Sequence, residues 1–154
     1  MALVHLSGIW YLEQLSVRKK TEHFQEFMNG ENSSLLIVED NHESQLIIKT
    51  LLRNKYRTSI ASTVSDAMTQ ISRDHFDLIL LDLNLNSGGN GKTLLQQMKM
   101  DERSKNIPVI ITTAYDLNPE EEKFFQKNAN GFLQKPIDKK KLIQAIEKVL
   151  NSIQ

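Results

Sequence analysis

Five residues have the types that phosphoryl chemistry needs, and each sits at or just after the end of a short apolar run. Glu39-Asp40 follow "LLIV", Asp82 follows "FDLILL", Thr113 closes "PVIITT", and Lys135 follows "GFLQ". Glu39, Asp40 and Asp82 brought together would be three carboxylates that repel one another unless a cation joins them. An all-oxygen donor set suits a hard dication, and Mg2+ is the expected ion. Lys135 would add a positive charge and Thr113 a hydroxyl donor. Phosphoryl transfer is catalysed mostly by positioning and charge neutralisation, and a carboxylate such as Asp82 can be the nucleophile that becomes an acyl phosphate. Taken singly, each residue has a plainer meaning: Asp40 as a helix cap, Lys135 as a surface lysine before Pro136, Thr113 as a turn hydroxyl. The weight lies in the ordered set, with one member at each of several strand ends.

For those ends to meet, the apolar runs must be parallel strands. Leu35–Val38, Phe76–Leu81 and Val109–Thr112 are continuous apolar runs, as expected of a sheet covered on both faces. Arg57–Ala61 is a weaker strand and Phe132–Gln134 a short fifth one. Between them, helical spacing runs over Glu43–Asn54, with Leu46, Ile47, Thr50 and Leu51 on one face. It recurs over Ser65–Arg73, with Ala67, Met68 and Ile71 apolar, and over Lys92–Met100. Pro119–Lys127 is a helix with proline in its first turn. Asp138 can cap a last helix that runs to about Asn151. Five strand–helix units of this kind predict an α/β fold, a doubly wound five-stranded parallel sheet with right-handed crossovers. Its ligand site is expected at the carboxyl ends of the strands, where strand order reverses.

The 154 residues suit one domain with an appendage. Lys plus Arg number 19 and Asp plus Glu number 19, so formal charge balances, and with no basic stripe interleaved with aromatics nothing points to nucleic acid. The absence of cysteine excludes disulfides and thiolate metal sites. No transmembrane span is expected, and the N-terminus lacks the basic n-region of a signal peptide, so the expected location is cytoplasmic. Residues 1–33 stand apart. Leu3, Trp10, Val17 and Phe24 recur every seven positions, Asn29-Gly30 is a helix stop, and "NGENSS" is a linker. One amphipathic helix is expected over Ile9 to Met28. It either packs on its own domain or is poorly ordered, or it pairs with another chain, and Met28 as the natural start is a further option.

The stretch "NSGGNGKT", Asn86 to Thr93, is one residue away from a phosphate-binding P-loop. Asn86 stands where the first glycine is needed. No later strand ends in the acid that would hold Mg2+, since the one strong strand beyond it ends in Thr112-Thr113. The glycines are expected to let a loop turn beside the acid pocket, with Lys92-Thr93 opening a helix.

Residues 34–154 resemble the receiver domain of two-component response regulators. "LLIVEDN" resembles that family's first-strand acidic motif, "DLILLDLNL" its phosphoacceptor strand, "PVIITTAY" its Thr-Ala switch strand and "GFLQKPID" its Lys-Pro motif. The resemblance implies a flavodoxin-like (βα)5 fold with an N-terminal helical extension. It implies Asp82 as phosphoacceptor, Mg2+ held by Glu39, Asp40, Asp82 and the backbone carbonyl of Asn84, Thr113 as switch hydroxyl, Lys135 on the phosphoryl group and Phe132 as switch aromatic. The implied partners are a sensor histidine kinase or histidine phosphotransfer protein as donor and a downstream target protein. A homodimer through the N-terminal helix, or through the face of the fourth helix, fifth strand and fifth helix, is a further expectation. Catalysis would be limited to self-phosphorylation and autodephosphorylation. Gly131 fits the family pattern, whereas Asn86 replaces a usual proline and the loop from Asn86 to Gly91 is longer. Two rivals belong to other classes. An Asp-nucleophile phosphatase would want a second acid at Asn84, and a phosphorylation-independent interaction module would not need the acid set. No output segment follows the fifth helix, so the chain is expected to act alone on a partner or to be part of a longer regulator.

Overall fold

The computed structural model describes residues 17–18, 33–86 and 90–153. Five strands and five helices alternate through it: β1 Ser34–Val38, α1 His42–Leu52, β2 Arg57–Ala61, α2 Val64–Arg73, β3 Leu78–Asp82, α3 Gly91–Met100, β4 Val109–Thr113, α4 Pro119–Asn128, β5 Gly131–Gln134 and α5 Lys139–Asn151. The strands form one sheet in the order β2-β1-β3-β4-β5, and all four pairings are parallel. Strand order reverses at β1, which lies between β2 and β3. The doubly wound α/β fold expected from the sequence is the one observed.

Period-2 alternation splits the apolar strands between two cores. Leu36, Val38, Ile79, Leu81, Val109 and Ile111 face α2, α3 and α4. Leu35, Ile37, Leu78, Leu80 and Ile110 face α1 and α5. Each such side chain, fully buried, contributes about 1.5–3 kcal/mol, which is why the middles of β1, β3 and β4 are apolar. Local chemistry sets the helix starts. Asn41, Thr63, Asn90, Asn118 and Asp138 each accept a backbone N–H in the first turn. Asn118 and Glu121 complete a reciprocal capping box ahead of Pro119.

Two expectations and one alternative reading need correction. The buried face of α1 is Gln45, Ile48 and Leu52. Leu46 and Ile47 are 66% and 54% exposed, and Thr50 is exposed too. Gln45 turns inward because its amide reaches the Glu39 carbonyl at 2.6 Å and the Ser62 hydroxyl at 3.1 Å. A pattern that counts only apolar residues misses a buried polar one. The cap of α1 is Asn41, not Asp40. β3 begins at Leu78 and runs through Asp82, with Phe76 buried just ahead of it.

Residues 33–154 form one compact unit. The amphipathic helix expected over 9–28 lies outside the described residues except for Val17 and Arg18, which are helical. Among the described residues, no helix is long and apolar enough to cross a membrane.

Candidate functional site

The carboxyl ends of β1 and β3 are adjacent, because the two strands pair in register up to Val38 and Leu81. The chain leaves β1 at Glu39-Asp40, and β3 ends on Asp82. One carboxylate oxygen from each of Glu39, Asp40 and Asp82 lies within 4.8 Å of the others. Glu39 and Asp82 are 1% and 4% exposed, and Asp40 is half-buried. β5 lies two strands from β3, beyond β4, and delivers Lys135 across β4. Its ammonium donates to Glu39 Oε2 at 2.6 Å and to Asp82 Oδ2 at 2.8 Å. The Lys135 backbone amide is tied to the Thr113 carbonyl at 2.7 Å, which fixes where its side chain starts.

Backbone amides hold the remaining geometry. Asn41 N–H donates to Glu39 Oε1 at 3.0 Å. Asn84 N–H donates to Asp82 Oδ1 at 3.0 Å. Asn86 N–H donates to Asp40 Oδ2 at 2.7 Å. Burial pushes the Glu39 carboxyl above its ordinary range, against the hydrogen bond from Lys135 that lowers it. Burial alone would lower Lys135, but its hydrogen bonds to Asp82 and Glu39 outweigh that and raise it above its usual value. The pocket thus keeps its lysine charged and crowds its acids around it. Among the described residues, no buried side-chain polar atom lacks a hydrogen-bond partner.

The predicted residues fall as follows. Glu39, Asp40, Asp82 and Lys135 come together. Asn84 lies in the loop directly after Asp82, exposed. Thr113 is fully buried at the end of β4, and its hydroxyl makes long contacts with the Tyr115 amide and carbonyl at 3.3 and 3.4 Å. Phe132 is 45% exposed. It lines a cavity of about 500 Å3 with Tyr115, Leu117 and Phe125 between α4 and β5. Lys92 lies 5.1 Å over the Phe124 ring as a cation–π contact, and α3 starts at Gly91, whereas residues 87–89 of "NSGGNGKT" lie outside the described residues. The sequence pattern did not disclose Gln45, which braces the Glu39 carbonyl. Its one visible signal was a polar residue inside an apolar helix run.

A dication fits this donor set. Three clustered oxygen donors from three carboxylates match the preference of Mg2+ for hard ligands, and the pocket holds more negative than positive side-chain charge.

The comparisons with known proteins bear on the family and the fold. A family model described as the response regulator receiver domain matches residues 35–147. The polar-differentiation response regulator DivK of Brucella ovis is 30% identical over 118 residues, covering 76% of this chain and 95% of that protein. The chemotaxis protein CheY of Pseudomonas aeruginosa is 31% identical over 121 residues, covering 77% and 97%. Among solved structures, the receiver domain of a Pseudomonas aeruginosa sensor histidine kinase, described with a magnesium ion coordinated in its active-site cleft, aligns with a TM-score of 0.70. It is 27% identical and covers 77% of this chain and 98% of that one. A CheY-like receiver domain protein from Methanospirillum hungatei, at 24% identity and a TM-score of 0.71, shares the fold over 78% and 94%.

Proposed function

Because the chain belongs to the response regulator receiver domain family, we propose that it accepts a phosphoryl group on Asp82 and changes the surface it offers to a partner. The observation that carries this reading is the Asp82 carboxylate, 4% exposed, grouped with Glu39 and Asp40 and touched by the Lys135 ammonium at 2.8 Å. The donor is a phosphohistidine on a sensor kinase or phosphotransfer protein. Its P–N bond breaks, an Asp82 carboxylate oxygen forms the new bond to phosphorus, and the imidazole leaves. Mg2+, when bound, supplies charge neutralisation for the incoming phosphoryl oxygens. Glu39, Asp40, Asp82 and the Asn84 carbonyl would hold it. Lys135 keeps its ammonium beside Asp82 through the transfer and, with the Thr113 hydroxyl, meets the new anionic oxygens in charge-assisted hydrogen bonds. Thr113 must leave its long contacts with Tyr115 to do so. That movement opens space for the Phe132 ring and alters the face made by α4, β5 and α5, which the downstream protein reads.

Acetyl phosphate with Mg2+ should add one phosphoryl group to the wild-type chain, seen by immediate intact-mass measurement, and none to Asp82→Asn. Labelling that persists in Asp82→Asn, or proceeds equally in EDTA, would overturn this assignment.

A further inference from the structure

Both the main chain and the carboxylate of Glu39 are held. Its amide donates to the Ala61 carbonyl at 3.0 Å, which ties it to the end of β2. Its carboxylate accepts from the Asn41 amide and the Lys135 ammonium. Its carbonyl accepts from Nε2 of Gln45 at 2.6 Å. Gln45 lies in the first turn of α1 and is 7% exposed, and its own amide donates to the Asn41 carbonyl at 3.0 Å. The same Nε2 donates to the Ser62 hydroxyl at 3.1 Å, and Oε1 faces Nδ1 of His42 at 3.2 Å. The orientation of the side-chain amide is forced, because a carbonyl only accepts and the NH2 end must therefore face Glu39. One buried side chain thus joins the loop after β1 to the loop after β2, and it does so at the first of the acids.

We infer that Gln45 is a positioning residue for the acid pocket: its side-chain amide fixes the peptide unit between Glu39 and Asp40, and Mg2+ affinity depends on it. The inference rests on the proposed Mg2+ site. The Glu39 carbonyl and the Asp40 amide belong to one planar unit, so a donor on the carbonyl sets the direction in which the chain passes from one acid to the next. Without that donor the carbonyl is a buried acceptor left unpaired, and the unit gains by turning toward water or another donor. Such a turn shifts the backbone dihedrals of both acids, whose side chains leave from the Cα atoms at its two ends. Lys135 and Asn41 hold the Glu39 carboxylate, but neither bond fixes the plane of that peptide. Partners behind metal ligands commonly decide about 10–100-fold in metal affinity. Gln45 acts through the main chain rather than on a ligand oxygen, which places it at the low end of that range.

The test is a Mg2+ titration of the full chain followed by amide NMR, on wild type, Gln45→Met and Ile48→Ala. Methionine matches glutamine in length but has no N–H to donate, and Gln45→Met should bind Mg2+ about tenfold more weakly. Ile48→Ala opens a cavity on the same buried face of α1. It loses stability but removes no donor to Glu39, so it should keep wild-type affinity. A loss under about threefold in Gln45→Met, well short of the range for such partners, overturns the inference and leaves the metal site standing. An equal loss in Ile48→Ala does the same. If wild type itself binds no Mg2+, the metal site falls, and the inference with it. Wild type alone gives a second reading that does not depend on the folding of any variant. Coupling is reciprocal, so bound Mg2+ should slow exchange of the Gln45 side-chain amide protons with solvent. Equal exchange with and without Mg2+ overturns the inference.

Discussion

Thr112, not Thr113, stands opposite Asp82 in the register of β3 and β4, and its carbonyl receives the Leu83 amide at 3.1 Å. Thr112 is thus bound into the ladder beside the acid, whereas Thr113 closes the strand, its carbonyl accepting the Lys135 amide and its hydroxyl making long contacts to Tyr115. The proposed switch hydroxyl is that of Thr113, which makes these long contacts. Thr113→Ala should still be phosphorylated on Asp82 but should lose most of the phosphorylation-dependent amide shifts over residues 115–150. The missing charge-assisted hydrogen bond is worth about 1.5–3 kcal/mol, a tenfold or larger change in a two-state balance. Full wild-type shifts in Thr113→Ala would move attention to Thr112.

Removing Lys135 leaves the Glu39 and Asp82 carboxylates buried together without their cation. Lys135→Met should destabilise the fold by about 3 kcal/mol in EDTA, the low end of the cost of breaking a buried pair, because the lysine side chain is still 20% exposed. Added Mg2+ should recover part of that loss. Urea unfolding with and without Mg2+ measures both, and an undiminished stability would mean the ammonium contributes nothing to the pocket.

Alkali should reproduce the same loss reversibly. Lys135 is raised above its ordinary 10.5 despite its burial, because Asp82 and Glu39 accept from it. A base raised in the folded state contributes stability that is complete below its unfolded pKa and lost as the pH climbs through the folded one. The stability gap between wild type and Lys135→Met should therefore be level up to about pH 10 and narrow above it. Tyr56 and Tyr115, also raised, titrate in both proteins and cancel in the difference. A gap that is flat through pH 11.5 would show that the hydrogen bonds do not favour the charged lysine.

Gly91 cannot accept a side chain. A Cβ there would lie 2.5 Å from the Asp82 carbonyl oxygen and 2.8 Å from the Leu83 Cα, both backbone atoms that move only with the end of β3. Gly91→Ala should cost about 1–3 kcal/mol, the range for forced overpacking, and should slow phosphorylation of Asp82. Thermal unfolding and acetyl phosphate labelling give the two readouts.

The α1 face provides a contrast of neighbours. Leu46→Ser and Ile47→Ser should change stability by less than about 0.5 kcal/mol, whereas Ile48→Ala should cost about 2–5 kcal/mol. If Leu46→Ser proves as costly as Ile48→Ala, the face would be buried in solution.

The alternation of elements was legible because β1, β3 and β4 are buried on both sides and leave unbroken apolar runs. Four of the candidate residues, Glu39, Asp40, Asp82 and Thr113, were legible because they end or directly follow such runs. What stayed hidden depends on contacts distant in sequence. Gln45 reads as surface until the Glu39 carbonyl above it is known, and that misassigned the α1 face. The Asn86 link is a main-chain N–H, which every residue but proline carries, so no residue type could reveal its use. The ammonium of Lys135 between two acids follows from the position of β5 beside β4, which a linear pattern does not give.

The parallel sheet also divides labour between its two rims. At the rim opposite the acids, polar side chains tie strand beginnings to neighbouring loops. The Asp77 carboxylate accepts the Ser34 amide at 2.7 Å, and the Asn130 side chain accepts the Val109 amide at 3.0 Å. Among the described residues, the Asp82 side chain bonds to Lys135 and Asn84, not to that rim. Rigidity and reactivity are therefore separately adjustable in this chain. Substitutions that reinforce the strand starts should raise its melting temperature without touching Glu39, Asp40, Asp82 or Lys135, away from where a firmer scaffold usually costs function.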